Sequence, residues 1–231
     1  MEATIHLKNG TDLVRIEISE DDGSKVEKTI TVSNFREIFK EKERKKYYCL
    51  NPMFDEYGPA EVVKGLICGT QGENFVNGLF FVPADKRYMN VAGEKTMIPY
   101  PSLLFLLQAR NGCLTKSQCF AVKEPTIHEL NLQSKLYAFP FGNVLASDAH
   151  ICWGSNQLTG LDELDNMRIA ITTFFCSESN MDYVRAGSSY ASKYGTYAAF
   201  MRELGTRQTF PKGALVPSPC NSVVKELVES I

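Results

Sequence analysis

The stretch YAFPFGNVLASDAHICWG, residues 137–154, separates two parts of the 231-residue chain that have different hydrophobic patterns. Short apolar runs bounded by Gly, Pro and Asn precede it, and such runs are typical of antiparallel strands. Apolar residues at helical spacing follow it, over residues 160–175 and 188–204. The sequence therefore predicts an α/β (α+β) domain in which an antiparallel meander of about four strands is flanked by helices.

The predicted meander precedes this stretch. Within residues 98–105, we expect Pro99 and Pro101 to exclude a central strand up to the point where a short buried apolar segment begins. Residues 125–159 carry few periodic signals, and a long irregular segment inside a compact domain is usually functional or disordered. Its aromatic residues argue against disorder. The four predicted strands are residues 62–68, 76–82, 86–91 and 118–123.

The N-terminal region predicts a β-hairpin. Residues 3–8 and 12–19 alternate in polarity on either side of Asn9-Gly10, a pair that favours a tight turn. Residues 26–32 can add a third strand, and residues 34–47 have helical spacing. The predicted divisions are an N-terminal β extension packed on the core (1–33), the main α/β domain (34–210) and a C-terminal tail (211–231).

Charge does not select a class of partner. The chain has 25 Lys and Arg against 27 Asp and Glu, so its net charge of -2 gives no argument for nucleic acid or an anionic membrane. No signal peptide pattern opens the sequence, and the densest apolar run, residues 103–107, is too short to span a bilayer. The odd number of cysteines, seven, favours reduced thiols. We expect a cytoplasmic protein.

The usual signatures of cofactor and metal chemistry are missing. The sequence has no phosphate-binding P-loop, no dinucleotide-binding glycine motif, no zinc-protease motif and no nucleophile elbow. Cys113 and Cys119 lack a second pair of ligands at zinc spacing. We therefore predict neither a cofactor nor a metal ion.

Cys152 is the candidate nucleophile, with His150, Asp148 and Asn143 lying two, four and nine residues before it. A reactive thiol needs thiolate character, which a nearby His or a helix N-terminus can supply. Asn143 can donate hydrogen bonds to an oxyanion or can pin the loop. His150 or Asp148 can accept a proton from Cys152 or from an incoming amine. The alternative is a small buried Cys among ordinary surface-loop residues.

A strand meander, then Asn143, then Cys152, then helices, resembles the ubiquitin-conjugating enzyme (UBC) fold. In that family a His-Pro-Asn tripeptide follows the four-stranded meander, and the catalytic Cys lies about eight residues after the Asn. Asn143 matches the Asn, and Cys152, nine residues on, matches the nucleophile. Phe141 and Gly142 occupy the places of the His and the Pro.

A closer resemblance is to the prokaryotic ubiquitin-conjugating-like family D, also called PRTRC system protein B. In relatives a His follows the Phe-Phe-x-Ser block, whereas Ser179 and Asn180 follow here, so no role of that His is carried over. The blocks that carry the resemblance are FVPADKR (81–87), IPYPSLLF (98–105), FAV (120–122), LYAFPFGNV (136–144), ICWG (151–154) and TFFCS (173–177).

The resemblance implies partners and an activity. It places the chain in a bacterial cassette of the anti-phage or mobile-element kind, with a ThiF-like activating enzyme, a small ubiquitin-like protein and often a JAB-type deconjugating peptidase. The implied activity is that of a transferase, which accepts the ubiquitin-like protein from the activating enzyme as a Cys152 thioester and passes it to a target.

Two other functions remain open. A catalytically inactive scaffold would bind the activating enzyme and the ubiquitin-like protein without forming a thioester. A Cys/His hydrolase would use Cys152 with His128 or His150, and would need the imidazole within hydrogen-bond reach of the sulfur together with a third, orienting group.

Overall fold

The computed structural model describes most of the chain and divides it into two units, Met1–Arg44 and Lys45–Ile231. The described residues are 2–7, 13–19, 24–32, 45–48, 65–91, 94–179 and 193–231.

The first unit contains a three-stranded antiparallel sheet of β1 (Glu2–Leu7), β2 (Leu13–Ser19) and β3 (Lys25–Thr31) in that order. The register pairs Leu7 with Val14, as expected of a hairpin. The predicted N-terminal hairpin and its third strand are therefore confirmed. The Asn9-Gly10 turn lies outside the described residues, and the packing of these strands on the core stays a prediction.

The second unit is built on a six-stranded antiparallel sheet with the order β11-β10-β9-β6-β5-β4. Its four long strands, β5, β6, β9 and β10, form a meander, and a two-stranded hairpin of β7 and β8 is inserted between β6 and β9. The predicted α/β fold with a UBC-like antiparallel meander is thus confirmed. The strands are β4 (Lys45–Tyr48), β5 (Leu66–Gly72), β6 (Phe75–Val82), β7 (Asp85–Val91), β8 (Glu94–Tyr100), β9 (Ser102–Arg110), β10 (Cys113–Val122) and β11 (Tyr137–Ala138).

The third strand of the meander differs from the prediction. We assigned residues 86–91 to it, but they belong to β7, and the third strand is β9. Residues 103–107 are fully buried in β9, which explains their unbroken apolar run, since a strand covered on both faces does not alternate. Pro99 lies in the two-stranded hairpin and Pro101 just before β9, so neither proline occupies the central strand.

The two helices predicted after the irregular stretch are found, and their starts differ from the sequence patterns; residues 188–192 of the helix predicted over residues 188–204 lie outside the described residues. The helix predicted over residues 160–175 begins only after Asn166, because residues 160–163 are irregular and residues 164–166 form a turn. The next begins where the Thr196 side chain accepts a hydrogen bond from the N–H of Ala199 (3.1 Å). None of the helices in the described stretches is long and apolar enough to cross a membrane. The helices are α1 (Met167–Cys176), α2 (Tyr197–Thr206) and α3 (Val224–Val228), with a 3₁₀ turn at Lys212–Ala214.

The helix predicted over residues 34–47 is wrong at its C-terminal end. Residues 45–48 form β4, which pairs with the outer edge of β5, and sheet pairing overrides helical spacing there. The remainder of that predicted helix lies outside the described residues.

The C-terminal residues that the sequence assigns to a tail pack against the rest of the second unit, to which they belong. The N–H of Ala138 donates to the carbonyl of Val216 (2.8 Å), and Val224 and Leu227 are buried. Phe174 of α1 and Phe200 of α2 are buried in the same hydrophobic core. The domain boundaries drawn from the sequence stay predictions.

The start of β5 provides a test of the packing. Gly65 and Gly160 both have left-handed backbones, with φ of +82° and +73°. A Cβ at Gly65 would lie 2.6 Å from the carbonyl oxygen of Phe81, whereas one at Gly160 would meet nothing within 4 Å. The N–H of Phe81 donates to the carbonyl of Gly65 (2.7 Å), so the two strands cannot separate without loss of that bond.

We therefore expect Gly160→Ala to lower the free energy of unfolding by about 1–2 kcal/mol, the cost of a left-handed Ala. Gly65→Ala should cost at least about 1 kcal/mol more, because it adds a backbone clash. Urea denaturation followed by circular dichroism measures both. Equal losses in the two variants would contradict the tight β5–β6 contact.

Candidate functional site

A short segment of the irregular stretch is added to the outer edge of β10. The N–H of Cys119 donates to the carbonyl of Ala149 (3.0 Å), and the N–H of Ile151 donates to the carbonyl of Ser117 (3.1 Å). Residues 149–151 therefore continue the sheet beside β11, which pairs with the same edge of β10 further along the strand. This pairing fixes the backbone that leads into the candidate thiol.

The other edge of the same segment pairs with residues 143–145. The N–H of Cys152 donates to the carbonyl of Asn143 (2.7 Å), and the N–H of Leu145 donates to the carbonyl of His150 (2.8 Å). The two strands form a small hairpin, which we call the site hairpin (residues 143–152). It brings Asn143 and Cys152 directly opposite each other.

Local polar contacts shape the turn of the site hairpin. Asn143 and Ala149 have left-handed backbones, with φ of 70° and 59°. The Asp148 carboxylate accepts a hydrogen bond from the N–H of His150 (3.0 Å), an arrangement by which Asp closes turns. The Gln118 side chain donates to the carbonyl of Asp148 (2.6 Å) and so ties the turn to β10. Asp148 and His150 are both exposed.

Cys152 lies between two anchored residues. Ile151, just before it, is fully buried. Trp153, just after it, donates from its indole nitrogen to the Ser117 hydroxyl (2.9 Å) and packs edge-on against Phe174. Cys152 itself is partly exposed. The thiol is therefore reachable on a backbone that its neighbours hold in place.

Asn143 is buried, and its side chain links the site hairpin to the end of α1. The amide nitrogen donates to the carbonyl of Glu178 (2.8 Å). A second link runs parallel to it, because the Tyr197 hydroxyl is hydrogen-bonded by the backbone of Gly142 and by the Ser179 side chain. Burial raises the pKa of Tyr197 to about 12, although both hydrogen bonds lower it. Two adjacent residues of the loop are thus tied to two adjacent residues after α1.

An aromatic cluster supports these links, and the sequence patterns did not reveal it as a unit. Phe141 lies 4.8 Å from Tyr100 and 5.4 Å from Phe139, measured between ring centroids. The Arg87 guanidinium lies 4.4 Å from the centroid of Phe175, at the edge of the cluster. The closely spaced phenylalanines at residues 139–141 and 174–175 were the sequence signal from which the cluster could have been predicted. The other rings in contact are Phe105, Trp153, Phe174, Tyr194, Phe200 and Phe210.

Exposure alone does not distinguish Cys152 from the other thiols. Cys68 and Cys119 are buried, and burial raises the pKa of the Cys119 thiol well above its usual value. Cys113 and Cys176 are more exposed than Cys152. What distinguishes Cys152 is its place in the site hairpin. Cys220 is exposed, and Cys49 lies outside the described residues.

The remaining predicted residues are not joined to the thiol by hydrogen bonds. Within the described stretches, no hydrogen bond connects the Cys152 sulfur with His128 or His150, the contact that the hydrolase alternative requires. Neither do those stretches contain a group of three or more His, Cys, Asp or Glu side chains that could hold a metal ion.

A groove of about 400 Å³ lies beside the site hairpin. His150 and Trp153, which flank Ile151 and Cys152 in the chain, are among its lining residues. The sequence analysis did not identify this groove, because its two walls come from separate parts of the chain.

Comparison with known proteins agrees with this arrangement. The family model of prokaryotic E2 family D matches residues 57–218. Searches of curated proteins and of solved structures found no match. A family of this kind implies a ubiquitin-conjugating-like transferase role and, in general, interaction with an activating enzyme and a ubiquitin-like protein. Because the match covers more than two thirds of the chain, including the four strands of the meander, the site hairpin and the two helices after it, the chain belongs to prokaryotic E2 family D.

Proposed function

We propose that this chain accepts a ubiquitin-like protein from a ThiF-type activating enzyme as a thioester on Cys152 and transfers it to a target. One observation carries the proposal: Cys152 is partly exposed on a hairpin whose backbone is hydrogen-bonded to β10 on one side and to Asn143 on the other. A nucleophile that must meet the end of another protein has to be reachable and held in one position.

The chemistry is an exchange of thioesters. The Cys152 thiolate attacks the C-terminal carbonyl of the ubiquitin-like protein, which is bonded to a cysteine of the activating enzyme. A tetrahedral oxyanion forms, the old carbon–sulfur bond breaks, and the thiolate of the activating enzyme leaves with the electron pair. The bond formed is of the same type as the bond broken, so the chain must mainly supply positioning and charge stabilisation.

Transfer to an acceptor needs a proton acceptor. The attacking amine loses a proton as its nitrogen bonds to the carbonyl carbon, and the Cys152 sulfur leaves as a thiolate. His150 and Asp148 are exposed and lie on the same hairpin as Cys152, which supports either of them as the group that takes this proton. Asp148 also has a structural role, because its carboxylate accepts a hydrogen bond from the N–H of His150 and closes the turn of the site hairpin.

Asn143 acts in this proposal as a pin for the site hairpin. Its amide donates to the carbonyl of Glu178, and the residue is buried. An oxyanion donor would instead have to direct an N–H at the carbonyl that Cys152 attacks. The parallel link through Tyr197 supports the same assignment, since both links hold the loop against the residues after α1.

The wider partners and setting belong to the proposal as well. A JAB-type peptidase would remove the ubiquitin-like protein from its targets, and an anti-phage or mobile-element cassette in a bacterial cytoplasm would encode all of these components.

The nucleophile is tested by charging. With the activating enzyme, ATP and the cognate ubiquitin-like protein, the wild-type chain should form an adduct that thiols cleave. Cys152→Ala should abolish the adduct, and Cys152→Ser should give a thiol-resistant oxyester, because a hydroxyl attacks but leaves poorly. Cys176→Ala, which removes an exposed cysteine outside both the site hairpin and the groove, is the matched control and should charge like the wild type. Non-reducing gels and intact mass spectrometry measure all four proteins.

A folded Cys152→Ala variant that charges as fully as the wild type would contradict the assignment. A wild-type chain that binds both partners and never forms the adduct would favour the scaffold alternative instead.

The role of Asn143 is tested by two substitutions that both remove its amide but differ in how well the new residue tolerates the left-handed backbone. Asn143→Gly removes the amide but suits the positive φ, and should lower the free energy of unfolding by about 1 kcal/mol, the net value of one hydrogen bond. Asn143→Ala should lose about 1–2 kcal/mol more, because Ala tolerates a left-handed backbone poorly. At a temperature where both are folded, charging rates should stay within a few fold of the wild type. Thermal unfolding and single-turnover charging measure the two effects.

An oxyanion donor would give the opposite pattern. Both variants would then charge about 10- to 1000-fold more slowly, whatever their stability. Tyr197→Phe serves as a companion variant, because it removes the second link and leaves Asn143 intact.

A further inference from the structure

The hairpin of β7 and β8 carries two exposed apolar side chains that face the same way. Tyr88 is 60% exposed and Met97 is 37% exposed, and the register places them directly opposite each other. Single exposed apolar residues are ordinary, but neighbouring ones form a patch that another molecule can cover. The other large apolar side chains exposed in the described residues form no such pair. Leu13 and Val26 lie on opposite faces of the N-terminal sheet, and Ile169 lies on α1.

Two lysines flank this pair on the same side of the hairpin. Side chains alternate between the two faces of a strand, so Lys86 shares a face with Tyr88, and Lys95 shares that face with Met97. We call these four residues the outer face. Lys95 is exposed and Lys86 is partly exposed. Within the described stretches neither ammonium group forms an ion pair. The outer face is therefore apolar in the middle and cationic at both ends.

The inner side of the hairpin is buried and joined to the candidate site. Met89 is buried, with its sulfur 4.0 Å from the Tyr197 hydroxyl. The N–H of Ser179 donates to the carbonyl of Asn90 (2.7 Å), and Glu178 forms a bridge with Asn90. The loop that enters the site hairpin is tied to these same two residues after α1. A molecule bound to the outer face is thus connected to the candidate thiol by a short series of hydrogen bonds.

We propose that the outer face binds an acidic segment of a partner protein, in which two carboxylates flank an apolar side chain. Lys95 lies opposite Asn90, four residues along β7 from Lys86, so the two lysines are about 13 Å apart along the hairpin at about 3.3 Å per residue. Carboxylates at that separation can pair with both ammonium groups while the apolar side chain covers Tyr88 and Met97. Binding at this face requires no reactive thiol, so the surface goes beyond the proposed function and is tested independently of it.

The composition of the outer face favours a protein segment over a nucleic acid. Binding along a phosphate backbone draws on a series of cations, whereas this face has two, and the net charge of -2 adds no attraction for a polyanion. Tyrosine and methionine are enriched in protein interfaces, and the flexible thioether of methionine adapts to an apolar partner. A short acidic segment with an apolar centre therefore matches this face.

The first measurement selects ligands from a phage-displayed library of random twelve-residue peptides. The library is depleted on a Tyr88→Ser/Met97→Ser double variant and then enriched on the wild-type chain. Recovered peptides should carry acidic residues on both sides of an apolar one. They should bind Ile169→Ser, which removes an exposed apolar side chain elsewhere, as well as they bind the wild type. Recovered peptides without acidic residues, or no peptide that depends on Tyr88 and Met97, would overturn the proposal.

The second measurement reverses the charges. Fluorescence anisotropy of a fluorescein-labelled recovered peptide should give an affinity about 5- to 50-fold lower for Lys86→Glu/Lys95→Glu than for the wild type. A peptide in which lysines replace its acidic residues should bind this variant better than it binds the wild type. Lys135→Glu/Lys212→Glu makes the same charge change at two exposed lysines outside the hairpin and should bind the original peptide normally. If the reversed peptide does not prefer the reversed variant, the lysines do not recognise the segment.

Two further comparisons complete the test. Circular dichroism and thermal unfolding should show that every variant is folded, because the substituted side chains lie at the surface. If the serine double variant does not fold, the charge-reversal pair decides the outcome. A fluorescein-labelled oligonucleotide of twenty thymidines is the competing probe and should not bind. Oligonucleotide binding that requires Tyr88 and Met97 would identify a nucleic-acid surface and overturn the proposal.

Discussion

Two backbone hydrogen bonds between residues 149–151 and the edge of β10 position the candidate site. Through these bonds, part of a long irregular segment extends the meander. Residues 149–151 are therefore held in place by the central sheet, although they belong to a loop. Ile151 then enters the core, and Trp153 is fastened to Ser117. Cys152, between them, has little freedom of backbone although its thiol is accessible. The arrangement shows how a reactive group can be placed on a loop and still be positioned by a scaffold.

The contacts of Asn143 and Tyr197 complete this support from the other side. Two hydrogen-bonded links join Gly142 and Asn143 to the residues that follow α1. Their energies are modest one by one, but both act at the same place, and rings of the aromatic cluster shield them from water. The left-handed backbone of Asn143 depends on this support, since the surrounding contacts must offset its cost.

The sequence predicted those features that depend on local patterns. Alternation revealed the N-terminal strands, and the order of motifs revealed the fold and the family. The assignment of the third meander strand was wrong. Residues 103–107 of β9 are buried on both faces, so their apolar run has no alternation that would predict a strand. The helix prediction was wrong at residues 45–47 because pairing with β5 is a tertiary contact. The partner of the Asn143 amide lies 35 residues away, at Glu178, and no spacing rule relates the two positions.

Trp153 is the single tryptophan of the chain, and it joins the groove, the site hairpin and the aromatic cluster. Its indole emission therefore originates from one known place in the molecule, with no background from other tryptophans. Any event that changes the exposure of the Trp153 indole to water will change the wavelength or the intensity of this emission. The protein thus carries its own optical probe at the candidate site, and the kinetics of partner encounter can be followed on the unlabelled native chain.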